Sequence, residues 1–482
     1  MAGLWRAALR GIWASWTALI GAALATTSGG ILLLVWVAEL FGADFGPYHA
    51  IFSYGLLPVL LLIGLLLLPV GLWRARQAEL RGEGELRVGG RRLVLDLDSP
   101  LHRRALLFFL VMSGVNLLLL GVATYNGYGY LESTPFCGTV CHTVMEPQYA
   151  TYQRSPHAAV PCVACHVGSG ATSVAEAKLS GLRQVWGVVT GTHSRPVPAP
   201  VESLRPAGEI CGACHPAERF YGERVRAYEI APREGNLQDP VVTVLRMHTG
   251  GRNPRTGKLE GNHWHASPET RIEFRAADPR RRHIPEVRRI AADGQTTTWV
   301  RSDLPPVPEG TPWRVMDCTD CHNRVGHELL PLSAALDRAF IGGLVDPTLP
   351  GLRELAQELL QQEYATRDEA RTAIREGVFS HYRTEQPTLA ATRWEAIAQA
   401  ATGLYSQVYA PNVFPEMKVG WRTYPSQSGH LGDWGCYRCH DDQHKTSEGK
   451  ALSQDCDLCH STLAAEERRS ELASEIKDVL GI

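Results

Sequence analysis

No cysteine stands outside a paired motif in this 482-residue sequence: all twelve fall in six pairs, each followed at once by histidine. None is left for a disulfide, a thiol nucleophile or a structural zinc site of the usual type. Charge of one sign is also missing, with 48 Lys+Arg against 50 Asp+Glu. That balance excludes the basic footprint of a nucleic-acid binder. No solenoid repeat is present. Hydrophobic residues make up 44% and crowd into the first quarter of the chain, which excludes a simple soluble cytoplasmic enzyme.

Three uncharged stretches lie in that quarter: Trp16–Ala38 (23 residues), Ile51–Trp73 (23) and Ala105–Ala123 (19). A helix crosses the roughly 30 Å bilayer core in about 20 residues, so each is long enough to span. For the first, a cleaved leader is the alternative, with Arg6 and Arg10 as its basic region and Ala23-Leu24-Ala25 as its cleavage site. The apolar run continues through Ile31–Trp36 beyond that site, which favours a retained anchor. The link between the second and third stretches carries Arg74, Arg76, Arg81, Arg87, Arg91, Arg92, Arg103 and Arg104. Gly42–Pro47, between the first two, carries Asp44 and no basic residue. This asymmetry puts residues 74–104 in the cytoplasm and everything after Tyr125 on the periplasmic side of a bacterial inner membrane. Within the loop, Glu85–Val88 and Arg92–Leu95 flank Gly89-Gly90 as in a hairpin.

Five of the cysteine pairs have the form C-x-x-C-H: Cys162/Cys165/His166, Cys211/Cys214/His215, Cys318/Cys321/His322, Cys436/Cys439/His440 and Cys456/Cys459/His460. The first pair, Cys137/Cys141/His142, has three residues between its cysteines. Two thiols at this spacing can add to the two vinyl groups of one haem, while the adjacent histidine reaches the iron from the same side. Zinc ribbons would need pairs of pairs at short separation, yet Cys214 and Cys318 lie about 100 residues apart. Six covalently attached haems c are therefore expected. Attachment on the outer side of the inner membrane agrees with the arginine count.

Of the eighteen histidines, twelve lie outside the motifs. His49 and His102 flank membrane stretches, and His193, His283 and His381 stand in polar segments away from any motif. His157, His327, His430 and His444 lie within a few residues of an attachment motif, and His248, His263 and His265 lie in a strand-rich segment. A histidine that close to a motif cannot round its own porphyrin and is expected to ligate a neighbouring haem. One of His263 and His265 is expected to do the same, and His248 is a further candidate ligand. Met145, three residues after His142, is either a thioether ligand or a packing methionine.

The predicted fold is three transmembrane α-helices followed by a mainly α/irregular multihaem c-type cytochrome domain with a small β-rich insertion. Residues 1–125 form the anchor and 126–217 a haem region with the first three motifs and a helix at Ala171–Thr190. In 218–310, Val241–Leu245 and Arg271–Arg275 alternate as strands do. Residues 311–482 hold the last three motifs. Glu328–Tyr409 reads as helical, with Thr366–Glu369 in capping-box form and Pro350 near a helix start. Leu463–Leu480 reads as a charged helix.

Phe136–His166, with F-C-G-T-V-C-H-T-V-M-x-P, S-P-H-A-x-V and C-V-A-C-H, resembles the NapC/NirT family of membrane-anchored multihaem quinol dehydrogenases. K-L-S-G-x-x-Q-V and R-P-V-P-x-P-V-x-x-L-R-P-A extend the likeness. L-R-M-H-T-G-G, H-W-H, M-D-C-T-D-C-H-N-R, N-V-F-P-E-M-K-V, G-C-Y-R-C-H-D and D-C-D-L-C-H resemble the larger inner-membrane cytochromes of metal-respiring bacteria. The resemblance implies electron transfer from the menaquinone pool, with menaquinol as substrate, to periplasmic cytochromes or a terminal reductase. It also implies that Lys178 and Gln184 contact quinol; a solvated helix face is the alternative. Two other functions compete: a passive wire or subunit of a larger respiratory complex, and a multihaem reductase of a small nitrogen compound. The second is disfavoured because every motif ends in histidine, and none in the lysine typical of pentahaem nitrite reductases.

Overall fold

The computed structural model describes residues 15–41, 52–81, 98, 100–140, 142–167, 171–201, 205–216, 220–233, 235–266, 270–430 and 434–482. The expected hairpin around Gly89-Gly90, and His49, lie outside these residues. The chain divides into two compact units, Met1–Val140 and Cys141–Ile482.

The first unit is built from helices α1 (Trp16–Leu40), α2 (Leu57–Leu80) and α3 (Pro100–Leu131). Among the described residues, Trp16–Glu39 and Phe52–Arg74 are long and apolar enough to cross a membrane. The third expected stretch, Ala105–Ala123, lies inside the 32-residue α3. Small residues let α1 and α2 approach closely: a Cβ on Gly71 would fall 2.3 Å from the Ala18 nitrogen, and one on Gly21 2.8 Å from that of Leu68. Such small-residue contacts are how apolar helices gain packing where burial alone gives no advantage over lipid.

The second unit opens with α4 (His142–Gln153) and α5 (Ala171–Val189). A three-stranded antiparallel sheet has the order β1 (Arg224–Ile230), β2 (Val241–Met247), β9 (His460–Arg468). A short ribbon joins β3 (Gly251–Arg252) and β4 (Leu259–Glu260). The second sheet, in the order β7-β6-β5-β8, is formed by β5 (Arg271–Arg275), β6 (Glu286–Ile290), β7 (Thr296–Val300) and β8 (Arg314–Val315).

A helical bundle fills the long gap between the fourth and fifth motifs. It holds α6 (Leu332–Ile341), α7 (Leu352–Gln361), α8 (Arg367–Glu385) and α9 (Trp394–Gly403). Leu332, Ala335, Leu336, Ala339 and Phe340 recur at helical spacing on α6, and all five are buried. Thr366 caps α8 by accepting from the Glu369 N–H, and the Glu369 carboxylate reaches back to the Ala365 N–H. Pro350 precedes the α7 cap, Gly351, whose φ of 70° is the left-handed region that glycine tolerates.

The expected helix at Leu463–Leu480 is corrected: the chain is strand to Arg468, a 3-10 turn over Arg469–Glu471 and α-helical only over Ser474–Leu480. Val242 and Val244 on β2 bury against Ala464 and Leu472. That pairing with a partner more than 200 residues away outweighs the local charge pattern.

Candidate haem-attachment centres

Each standard motif in the second unit sits on one tight turn. Cys162–His166 and Cys318–Cys321 are single α-turns, and Gly435–Arg438 and Cys456–Leu458 are 3-10 turns. The histidine N–H closes the turn on its first cysteine's carbonyl, at 2.7 Å in His215 and His322 and 3.0 Å in His440. This local fold sends two thiols and an imidazole the same way. Successive motifs are neighbours in chain order. Cys165 lies within electrostatic reach of Cys214, Cys211 of Cys318, Cys321 of Cys436, and Cys459 of Cys436.

Four motif histidines face a second histidine drawn from elsewhere in the chain. Ring centroids are 6.1 Å apart for His166–His327, 6.1 Å for His157–His215, 5.9 Å for His265–His440 and 6.1 Å for His430–His460. Metal–imidazole bonds of about 2 Å on either side of one ion put the centroids about 6 Å apart. His322 and His263 are also within electrostatic reach of each other. The turn Asn262–Ala266 is 3-10, so His263 and His265, two residues apart, point in different directions and approach different motifs.

The hydrogen bonds suit the same purpose. Nδ1 of His327 lies 2.9 Å from the Gln148 carbonyl oxygen, that of His263 2.9 Å from Thr249, that of His265 3.0 Å from Asn262 and that of His440 2.9 Å from Ser453. His157 Nδ1 lies 3.3 Å from Val325. Donation from Nδ1 fixes the tautomer and leaves the Nε2 lone pair for a metal. Burial drives His327 down to about 4, and lowers His166, His265, His322 and His460 as well. A neutral imidazole is the form that ligates. Nδ1 of His460 is buried without a hydrogen-bond partner among the described residues. The residues present fit haem.

Two other candidate histidines, His444 and His248, are placed differently. His444 is fully buried, with Nδ1 3.0 Å from Asp441 and Nε2 2.7 Å from the Ile284 carbonyl oxygen, so both ring nitrogens are engaged. His248 bonds Glu223 at 3.1 Å and stands near His460, whose partner ring is His430. His283 pairs with Asp278, His193 accepts from Arg195, and His381 packs on Tyr382. Met145 is half-buried in the first turn of α4; Cys141 and the His142 side chain lie outside the described residues. Lys178 and Gln184 both lie on α5, about 120° apart around the axis. Gln184 reaches Ser180 at 3.4 Å. The carbonyls that orient the histidines were not legible from sequence, because any residue can supply a backbone oxygen.

Arg438, inside the fifth motif, is buried and donates to the carbonyls of Gly435, Arg281 and Asp320. Asp320, inside the fourth, is buried against Arg281 at 2.8 Å and Arg314 at 3.1 Å. The two motifs are thereby tied together.

Residues 100–197 match the N-terminal region of the NapC/NirT cytochrome c family. The chain is 38% identical over 449 residues to the cytochrome c-type protein ImcH of Geobacter sulfurreducens, covering 92% of this chain and 87% of that one. It belongs to the NapC/NirT cytochrome c family. This NapC/NirT protein is thus a membrane-anchored multihaem c-type cytochrome of electron transport. It is also 31% identical over 116 residues to the cytochrome c-type protein NrfH of Wolinella succinogenes, 23% of this chain and 63% of that protein. No solved structure matches the chain.

Proposed function

We propose that this cytochrome oxidises menaquinol at the inner membrane and passes electrons by six haems c to periplasmic acceptors. Residues 1–125 anchor it through three spans, the third within α3. Residues 126–217 carry haems 1–3, residues 218–310 the β-rich insertion, and residues 311–482 haems 4–6. The paired imidazoles support His166/His327, His215/His157, His322/His263, His440/His265 and His460/His430 as the residues that would hold the irons of haems 2 to 6. His142 would hold haem 1, and Met145, three residues on in α4, is a candidate thioether at the same haem. Bound haem supplies one-electron chemistry at the iron. His444 is a structural residue in this reading. His444→Leu leaves the Ile284 carbonyl without its ring partner and removes one donor from Asp441, which keeps Arg301. The cost is roughly 2 kcal/mol, which thermal unfolding reads, while the haem count and low-spin spectrum stay unchanged.

The observation that carries the quinol reading is α5. Leu179, Leu182, Trp186 and Val189 are 69%, 68%, 69% and 76% exposed on one side of it. An apolar stripe of that size suits a lipid surface, the place where quinol is found. At helical spacing Lys178 falls at the edge of the stripe, between Leu182 and Val185, and can hold a quinol oxygen. Gln184 falls off the stripe, so the support is for Lys178. In Lys178→Ala, reduction by a menaquinol analogue slows about tenfold or more, with dithionite reduction and haem content unchanged. An unchanged quinol rate contradicts the role given to Lys178.

A further inference from the structure

The first unit places one carboxylate in an otherwise uncharged helix. Glu39, near the end of α1, is the sole ionisable residue of Trp16–Leu40. An ionisable group at such a position is costly and marks a functional site by default. The arginine-rich link follows α2, so the Glu39 end of α1 belongs to the opposite face of the membrane, where the haem motifs are. Tyr54, just before α2, donates its hydroxyl to the Glu39 carboxylate at 3.2 Å. Its ring lies 6.4 Å from Tyr130, and Tyr130 lies 5.4 Å edge-on from Phe136. Phe136 immediately precedes Cys137 of the first motif. The approach is tight: a Cβ on Gly127 of α3 would fall 2.7 Å from the Tyr54 carbonyl oxygen. Glu39 and Tyr54 are both half-buried, so they are reachable from the lipid.

We propose that Glu39 is the proton acceptor for quinol oxidation, with Tyr54 and Tyr130 as the surface on which the quinone ring lies. The proposal rests on the quinol reading above. A quinol must lose two protons with its two electrons, so its oxidation requires a base within reach of its hydroxyls. A carboxylate is such a base. One quinol O–H bond breaks as the Glu39 O–H bond forms, and one electron goes to a ferric c-type haem. Once Glu39 has released that proton to the aqueous side, the second O–H bond breaks on it in the same way, the second electron goes to a ferric haem, and quinone leaves. The Tyr54 hydroxyl donates to Glu39 and so orients the carboxylate, and its oxygen can accept from a quinol O–H. The flat rings of Tyr54 and Tyr130 match a naphthoquinone in shape and polarity.

The test uses the full-length holoprotein in lipid nanodiscs and the fluorescent quinol analogue 2-heptyl-4-hydroxyquinoline N-oxide. Its fluorescence is quenched on binding, a readout independent of turnover. Glu39→Gln and Tyr54→Phe are each expected to weaken binding about tenfold, the worth of one charge-assisted hydrogen bond. Glu39→Gln also slows quinol reduction, and Glu39→Asp restores part of the rate. Dithionite-reducible haem is unchanged in all three, which shows that they fold. Wild-type affinity and quinol rate in both Glu39→Gln and Tyr54→Phe would overturn the proposal and leave the quinol reading standing. A wild-type protein that neither binds the analogue nor accepts electrons from quinol overturns both.

Discussion

His327→Leu converts one haem from low-spin to high-spin and opens its iron to carbon monoxide. His327 follows the fourth motif in sequence yet faces His166 of the second at 6.1 Å. Its Nδ1 is bonded to the Gln148 carbonyl, and burial holds the ring neutral. Leucine fills similar space but offers no lone pair, so the iron at His166 loses its sixth ligand. Low-temperature EPR and the carbon monoxide difference spectrum should report one altered haem per chain, and the other low-spin signals should persist. An unaltered spectrum would show that another side chain completes that haem.

Asp320→Ala should cost the second unit roughly 3 kcal/mol, because it leaves two guanidinium groups facing each other without their shared carboxylate. Arg281 and Arg314 retain some solvent, which sets the figure at the low end of the range for broken buried pairs. Asp320 also caps its own motif turn, accepting from the Asp317 N–H at 2.9 Å. Thermal unfolding should fall by roughly 5 °C. Asp320→Asn, which keeps an acceptor for the cap, should lose less.

The attachment residues were legible because covalent chemistry fixes their spacing: two thiols and an imidazole must reach one ring and its metal. The apolar stretches were legible because bilayer thickness fixes their length. The paired histidine rings were not, since each pair joins residues at least 30 apart in sequence, and proximity to a motif treats His444 and His327 alike. What separates them is that Nε2 of His444 lies against the Ile284 carbonyl while Nδ1 of His327 alone is bonded. His263 and His265 were given one ligand between them, yet a 3-10 turn sends them to two motifs. In the carboxy-terminal segment, Leu463–Arg468 has helix-compatible charges, but β2 offers it a strand edge. Glu39 was readable as an isolated charge, and only its contact with Tyr54 gives that charge a use.

The most direct measurement of the central claim is anaerobic titration of the wild-type protein, in lipid, with a reduced menaquinone analogue, followed at the haem Soret band. The account predicts that quinol reduces a substantial share of the haem that dithionite reduces, and that the quinol-site inhibitor abolishes it. Full reduction by dithionite with none by any quinol would contradict it, and leave a cytochrome that only relays electrons received from another protein.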